Sequence, residues 1–224
     1  MISQLRQFLA KSPLYPRVIP FALFLLLTSC QGQFGPESAY WFYLAKTILG
    51  AWMIWIIWPL AAEMRWNLSW EGILVGIVVF IAWVGLDPIT PEFTKPGTPW
   101  NPHTQFGENS ALAWTFIITR LVGSGFIVPP LEELFYRSFL YRYFEKQDFL
   151  QVPLNRFSWT PFLVTVGAFA LSHPADWLAA IFCGAAYQAL VIYKGRLGDA
   201  ITAHAVTNIL LAFYVIWRNA WHFW

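Results

Sequence analysis

Apolar residues run through this chain in long blocks, and polar residues gather between the blocks. A membrane-spanning helix needs about 20 mostly apolar residues, with roughly 17 to 25 as the working range. On that scale 18–34 forms a short first span, 40–62 a second and 70–86 a third, which ends at Gly85-Leu86-Asp87-Pro88. The one long polar stretch, 87–110, contains Pro88, Pro91, Pro96, Pro99 and Pro102 and reads as a loop outside the bilayer, placed as a lid would be. Four further apolar stretches follow, at 111–144, 159–173, 177–193 and 198–217. The pattern predicts an all-α fold, a polytopic transmembrane helical bundle of about seven spans, or eight if 111–144 is split at Pro129-Pro130. Residues 1–110 are read as N-terminal transmembrane helices plus the Pro-rich extramembrane loop. Residues 111–224 are read as the transmembrane core, within a single integrated membrane domain.

Lysine and arginine decide between the two counts, because cytoplasmic loops carry an excess of both. Arg6, Lys11 and Arg17 place the N-terminus inside. One proline-kinked crossing over 111–144 then leaves nine cations inside (Arg6, Lys11, Arg17, Arg65, Arg142, Lys146, Arg156, Lys194 and Arg196) and two outside, Lys95 and Arg218. Two crossings would leave five inside and six outside. The single kinked crossing is therefore expected, with the C-terminus outside.

Composition agrees. Hydrophobic residues make up 58% of the chain and charged residues 12%, against roughly a quarter charged in ordinary globular proteins. A soluble chain of this size has too much surface to hide that apolar content, so a cytosolic enzyme, a disulfide scaffold and a disordered chain are excluded. The net charge of +2 is too small for a nucleic-acid partner. Cys183 reads as a small buried hydrophobe. Cys30 ends Leu27-Thr28-Ser29-Cys30 after a basic N-terminus, which fits either a first membrane helix or a lipoprotein cleavage signal. Trp41, Trp52, Trp55 and Trp58 are expected to face lipid. Lys46 is expected to snorkel to an interface, and Arg120 to pair with an acid on a neighbouring helix.

Ionisable side chains within spans are expensive and mark function by default. Here they cluster in Glu132-Glu133-Leu134-Phe135-Tyr136-Arg137, in Phe169-Ala170-Leu171-Ser172-His173, and in His204-Ala205-Val206-Thr207-Asn208. Glu133 and Arg137, four apart, share a helical face and can pair. Glu132 turns about 100° away and is free to point elsewhere. His204 and Asn208 also share a face and can both donate hydrogen bonds toward one point. A carboxylate beside a neutral imidazole can hold and deprotonate water, while a second His and an Asn can stabilise an oxyanion. Together these groups can hydrolyse an amide without a covalent nucleophile. Taken singly, Glu133–Arg137 also fits a structural staple, and either His a helix-packing hydrogen bond. No HExxH occurs, no aspartate pair sits in two spans, and Gly123-Ser124-Gly125 follows Val122 where a rhomboid serine loop needs Gly.

The ordered motifs EExxxR, FxxxH and HxxxN resemble the CPBP family, the membrane-embedded CAAX prenyl endopeptidases and their bacterial homologues, over roughly 111–217. The resemblance implies a glutamate-dependent intramembrane endopeptidase with no metal and no cofactor. Glu132 and His173 would activate water, His204 and Asn208 would form the oxyanion site, and Glu133 and Arg137 would support it. The implied partners are a membrane-anchored protein or peptide substrate and the lipid bilayer. The implied location is the bacterial inner (plasma) membrane, with a cytoplasmic N-terminus. Ser138 stands where family members often have Gly. The Trp-rich N-terminal half is similar to the exosortase-associated CAAX protease-related group. A non-enzymatic scaffold or immunity-type protein of the same family, and a metal- or proton-coupled carrier, remain alternatives.

Overall fold

A computed structural model describes residues 2–91 and 99–224. Among them every regular element is helical. Five helices are long and apolar enough to cross a bilayer: Ser38–Ile57, Trp70–Ile89, Ala111–Glu145, Trp177–Lys194 and Gly198–Arg218. Two shorter apolar helices, Tyr15–Ser29 and Trp159–Leu171, lie among them. The protein is thus an all-helical integral membrane protein. We label the α-helical segments α1 (Ile2–Leu9), α2 (Tyr15–Ser29), α3 (Ser38–Ile57), α4 (Trp70–Leu86), α5 (Pro102–Phe106), α6 (Ala111–Val122), α7 (Val128–Glu133), α8 (Tyr141–Glu145), α9 (Trp159–Leu171), α10 (Trp177–Lys194) and α11 (Gly198–Arg218).

Three boundaries differ from expectation. The first apolar helix is 15–29 instead of 18–34. Pro16 lies in its first turn, where a missing N–H costs nothing, and Gly32 and Gly35 take positive φ just beyond its end. The second helix stops at Ile57, short of residue 62. The polar stretch 87–110 is not all loop. Asn101 caps α5 by accepting from the His103 N–H, and Trp100 and Phe106 pack on Tyr40 of α3. Lys95, Pro96 and the middle of the expected lid lie outside the described residues.

The stretch 111–144 is one continuous helix, 111–145, as the single-crossing count expects. It is not regular. Segments 123–127 and 134–140 are π-helical, so that Val128 N–H bonds to Gly123 O and Tyr141 N–H to Tyr136 O, each five residues back. Pro129 and Pro130 lack N–H groups and cannot complete an α-ladder. With Val128 drawn back to Gly123, the Ser124 carbonyl has no helical donor left.

The cations counted as inside gather at one end of the bundle. Arg6 donates to the Ile56 carbonyl at 3.2 Å, and Lys194 pairs with Glu71 at 2.7 Å. Glu63, in the turn between α3 and α4, receives Arg17 at 2.6 Å and Arg142 at 3.4 Å. Ser138 donates to the same carboxylate at 2.6 Å and accepts from Arg142 at 2.6 Å, so its hydroxyl completes an ion cluster. Burial alone would raise the Glu63 carboxyl, but the Arg17 guanidinium and the Ser138 hydroxyl hold it below its usual value. Glu63→Gln leaves two nearly buried arginines facing each other and is expected to cost about 3 kcal/mol, read as a lower melting temperature in detergent. A depressed carboxylate stabilises the fold above its unfolded pKa. The difference between the two proteins should therefore shrink as pH falls through the folded value.

Helix α11 is pressed on α4 through Gly72 and Gly76, the small-residue spacing that lets helices approach closely. A Cβ at Gly76 would lie 2.5 Å from the Ala203 carbonyl. Thr207 Oγ1 donates to the Gly76 carbonyl at 2.8 Å. This contact holds the part of α11 that carries His204 and Asn208.

Candidate active site

A cavity of about 340 Å³ in the bundle is lined by Glu132 from α7, His173 from the end of α9, and His204 and Asn208 from α11. All four side chains singled out in the sequence thus face one space. Glu132 Oε2 is buried there without a hydrogen-bond partner. Glu133 and Arg137 stand behind the wall, both fully buried, with Arg137 Nη1 3.2 Å from Glu133 Oε1. The Arg137 guanidinium is not aligned on any acceptor. It lies 4.6 Å from the Phe169 ring centre, 5.5 Å from Tyr136 and 5.7 Å from Tyr187, so aromatic faces supply much of its solvation.

Each imidazole is held by Nδ1. His204 Nδ1 is 2.9 Å from Glu133 Oε1, and its ring stacks on Tyr187 at 5.3 Å. Tyr187 donates to Thr207 Oγ1 at 2.7 Å, closing a link from α10 to α11. His173 Nδ1 is 3.0 Å from the Phe169 carbonyl. Ser172 Oγ lies at the same 3.0 Å from Nδ1, and when Nδ1–H donates to the Phe169 carbonyl, Nε2 presents its lone pair. Asn208 Nδ2 donates to the Ser124 carbonyl at 2.8 Å, which is the carbonyl that the π turn and Pro129 leave without a helical donor. The second N–H of that amide is free to serve elsewhere. Asp176, just before α10, also lines the cavity. Burial raises its carboxyl above the usual value, against the pull of His173.

Two expectations are corrected. Lys46 does not snorkel. It is 5% exposed, and its ammonium reaches inward to Thr28 Oγ1 and Gln31 Oε1, each at 3.0 Å. Arg120 makes no ion pair with a described carboxylate. Its guanidinium lies 4.9 Å from Tyr43, 4.6 Å from Trp100 and 5.4 Å from Trp224. Both cations line the cavity. The rule that flagged Glu132 also applies to them, since each is an ionisable group inside an apolar helix. The tryptophans of α3 are on the outer surface as expected, with Trp55 52% exposed, and Cys183 is buried. Ser124 lines the cavity too, but its hydroxyl donates to the Arg120 carbonyl at 2.8 Å. Among the described residues no three His, Cys, Asp or Glu side chains are grouped to hold a metal ion.

No curated protein and no solved structure matches the chain. Residues 110–210, from the N-cap of α6 to the middle of α11, match the model of the protease family described as Type II CAAX prenyl endopeptidase Rce1-like, the family group that the three polar motifs of this segment resemble.

Proposed function

We propose that the chain is an intramembrane endopeptidase of the glutamic type, which hydrolyses a peptide bond of a membrane-associated substrate in the 340 Å³ cavity. The observation that carries this reading is the unpartnered Glu132 carboxylate oxygen in a cavity shared with two imidazoles. Water held between Glu132 and His173 Nε2 loses a proton to Glu132 as its oxygen attacks the scissile carbonyl carbon. The oxyanion takes hydrogen bonds from the second Asn208 N–H and from a ring N–H of His204. When the C–N bond breaks, the proton on Glu132 goes to the departing amine. No step leaves a proton or an electron pair unaccounted for.

The test is purified protein in liposomes, incubated with host membrane proteins and read as new peptide termini by mass spectrometry. Turnover is expected to survive a chelator, because a base and oxyanion donors account for the chemistry. Loss of turnover on chelation with recovery on adding zinc would replace this mechanism with a metal-dependent one.

The same reading places the protein in a bacterial inner membrane with seven crossings and a cytoplasmic N-terminus. The arginine-rich end around Glu63 would then face the cytoplasm, and the end where His222 meets Asp87 at 3.3 Å would face outward. With Cys30 and Cys183 replaced by serine, Asp148→Cys should react with an impermeant thiol reagent only from the cytoplasmic side, and Glu37→Cys only from the other. Labelling of both from one side would rule out the seven-span arrangement.

A further inference from the structure

His173 has two neighbours at Nδ1, and the proposed hydrolysis uses only one of the two tautomers they allow. The Phe169 carbonyl and Ser172 Oγ each lie 3.0 Å from that nitrogen. Ser172 Oγ has further partners of its own, the Phe169 carbonyl at 2.7 Å and the phenol oxygen of Tyr136 at 3.0 Å. A hydroxyl carries one proton and two lone pairs. If that proton went to His173 or to Tyr136, a lone pair of Oγ would face the carbonyl oxygen at 2.7 Å, acceptor against acceptor. The arrangement that satisfies every group sends the Ser172 proton to the Phe169 carbonyl. Tyr136 then donates to one lone pair of Oγ, and Nδ1–H of His173 donates to the other and to the same carbonyl.

We propose that Tyr136 is a positioning residue that acts through Ser172 to hold His173 as the Nδ1–H tautomer, with Nε2 left bare for the water. The proposal rests on the reading of this cavity as a peptidase site. A free histidine ring favours its hydrogen on Nε2, so the opposite tautomer has to be held by acceptors at Nδ1. The ring itself is confined, 4.6 Å from the Phe169 ring and 5.7 Å from that of Trp83. Tyr136 is buried and follows Glu132 by four residues, about one turn, on the same continuous helix. Its phenol therefore ties the end of α9 to the helix that carries the proposed base. One hydrogen-bond chain sets both the aim and the protonation of the imidazole.

Ring nitrogens labelled with nitrogen-15 report the tautomer by magnetic resonance, because a bare nitrogen and one bearing hydrogen resonate far apart. The measurement uses the full-length protein in lipid nanodiscs at about pH 9, where a histidine ring is neutral. The His173 signals are identified by their loss in His173→Ala. In the parent the Nδ1–H form should dominate. Ser172→Ala and Tyr136→Phe should each shift the ratio toward Nε2–H by roughly 2- to 10-fold, the worth of one hydrogen bond. The double variant should match Ser172→Ala, because the phenol has nothing left to act through. A role in packing alone would leave the tautomer where it is. An Nε2–H parent, a tautomer that either single variant leaves unmoved, or a Tyr136→Phe effect that persists without Ser172 would overturn the proposal. The reading needs no turnover, so a failure of proteolysis leaves it intact, and an unmoved tautomer leaves the Glu132 chemistry to its own test.

Discussion

Glu132→Gln is expected to fold as the parent does and to cleave almost nothing. The substitution keeps the size and hydrogen-bonding capacity of the side chain while removing the base, and Glu132 Oε2 has no partner to lose. A positioned general base contributes typically about 10²–10⁴-fold, so turnover should fall by at least that much while the melting temperature in detergent stays within a degree or two. His173→Ala should fall similarly, and the double variant scarcely further, because groups that act as one unit are not additive. Asn208→Ala should lose about 10²–10³-fold as one oxyanion donor disappears. It should also loosen the π turn, since its amide satisfies Ser124. A stable and fully active Glu132→Gln protein would return the scaffold reading to first place.

Arg137→Ala is expected to fail differently. It removes the cation from a fully buried pair and leaves Glu133 Oε1 facing His204 alone. Breaking such a pair costs about 3–5 kcal/mol, and the space between Phe169, Tyr136 and Tyr187 is emptied as well. Expression yield and thermal stability should drop together with turnover. Arg137→Lys should recover little of the loss, because an ammonium lacks the flat guanidinium that lies against the rings. A normally stable, poorly active Arg137→Ala protein would instead make Arg137 a direct participant in the chemistry.

Much of the candidate site's lining could be read in the sequence because charge inside apolar helices is costly and therefore conspicuous. The faces shared by Glu133 with Arg137, and by His204 with Asn208, followed from helical geometry alone. The continuity of the helix through Pro129-Pro130 agrees with where lysines and arginines fall. The rest depends on contacts between distant segments. Lys46 could as well have turned outward, and Thr28 and Gln31, from the end of α2 and the turn after it, together with the Phe24 and Tyr43 rings, draw it inward. Arg120 meets rings from three different segments in place of the acid expected for it. Pro129-Pro130 announced a kink but not its form. The first π turn, at 123–127, leaves the Ser124 carbonyl without a helical donor, and that carbonyl finds one 84 residues away in α11. Ser138 looked like a mild departure from a family pattern, and its hydroxyl proves to bridge Arg142 and Glu63, a residue in a turn that carried no motif.

The Glu133–Arg137 pair also bears on how the protein is made. A lone charge at the centre of an inserting helix costs about 2.5–3.5 kcal/mol on the biological insertion scale. Helix 111–145 leaves the ribosome before α9, α10 and α11 exist to shelter it. Because carboxylate and guanidinium sit one turn apart on the same helix, the segment brings its own counter-ion to the translocon and can enter lipid ahead of its later neighbours. His204 then arrives last in synthesis and docks onto a Glu133 that is already neutralised, so the order of translation and the order of assembly need not conflict.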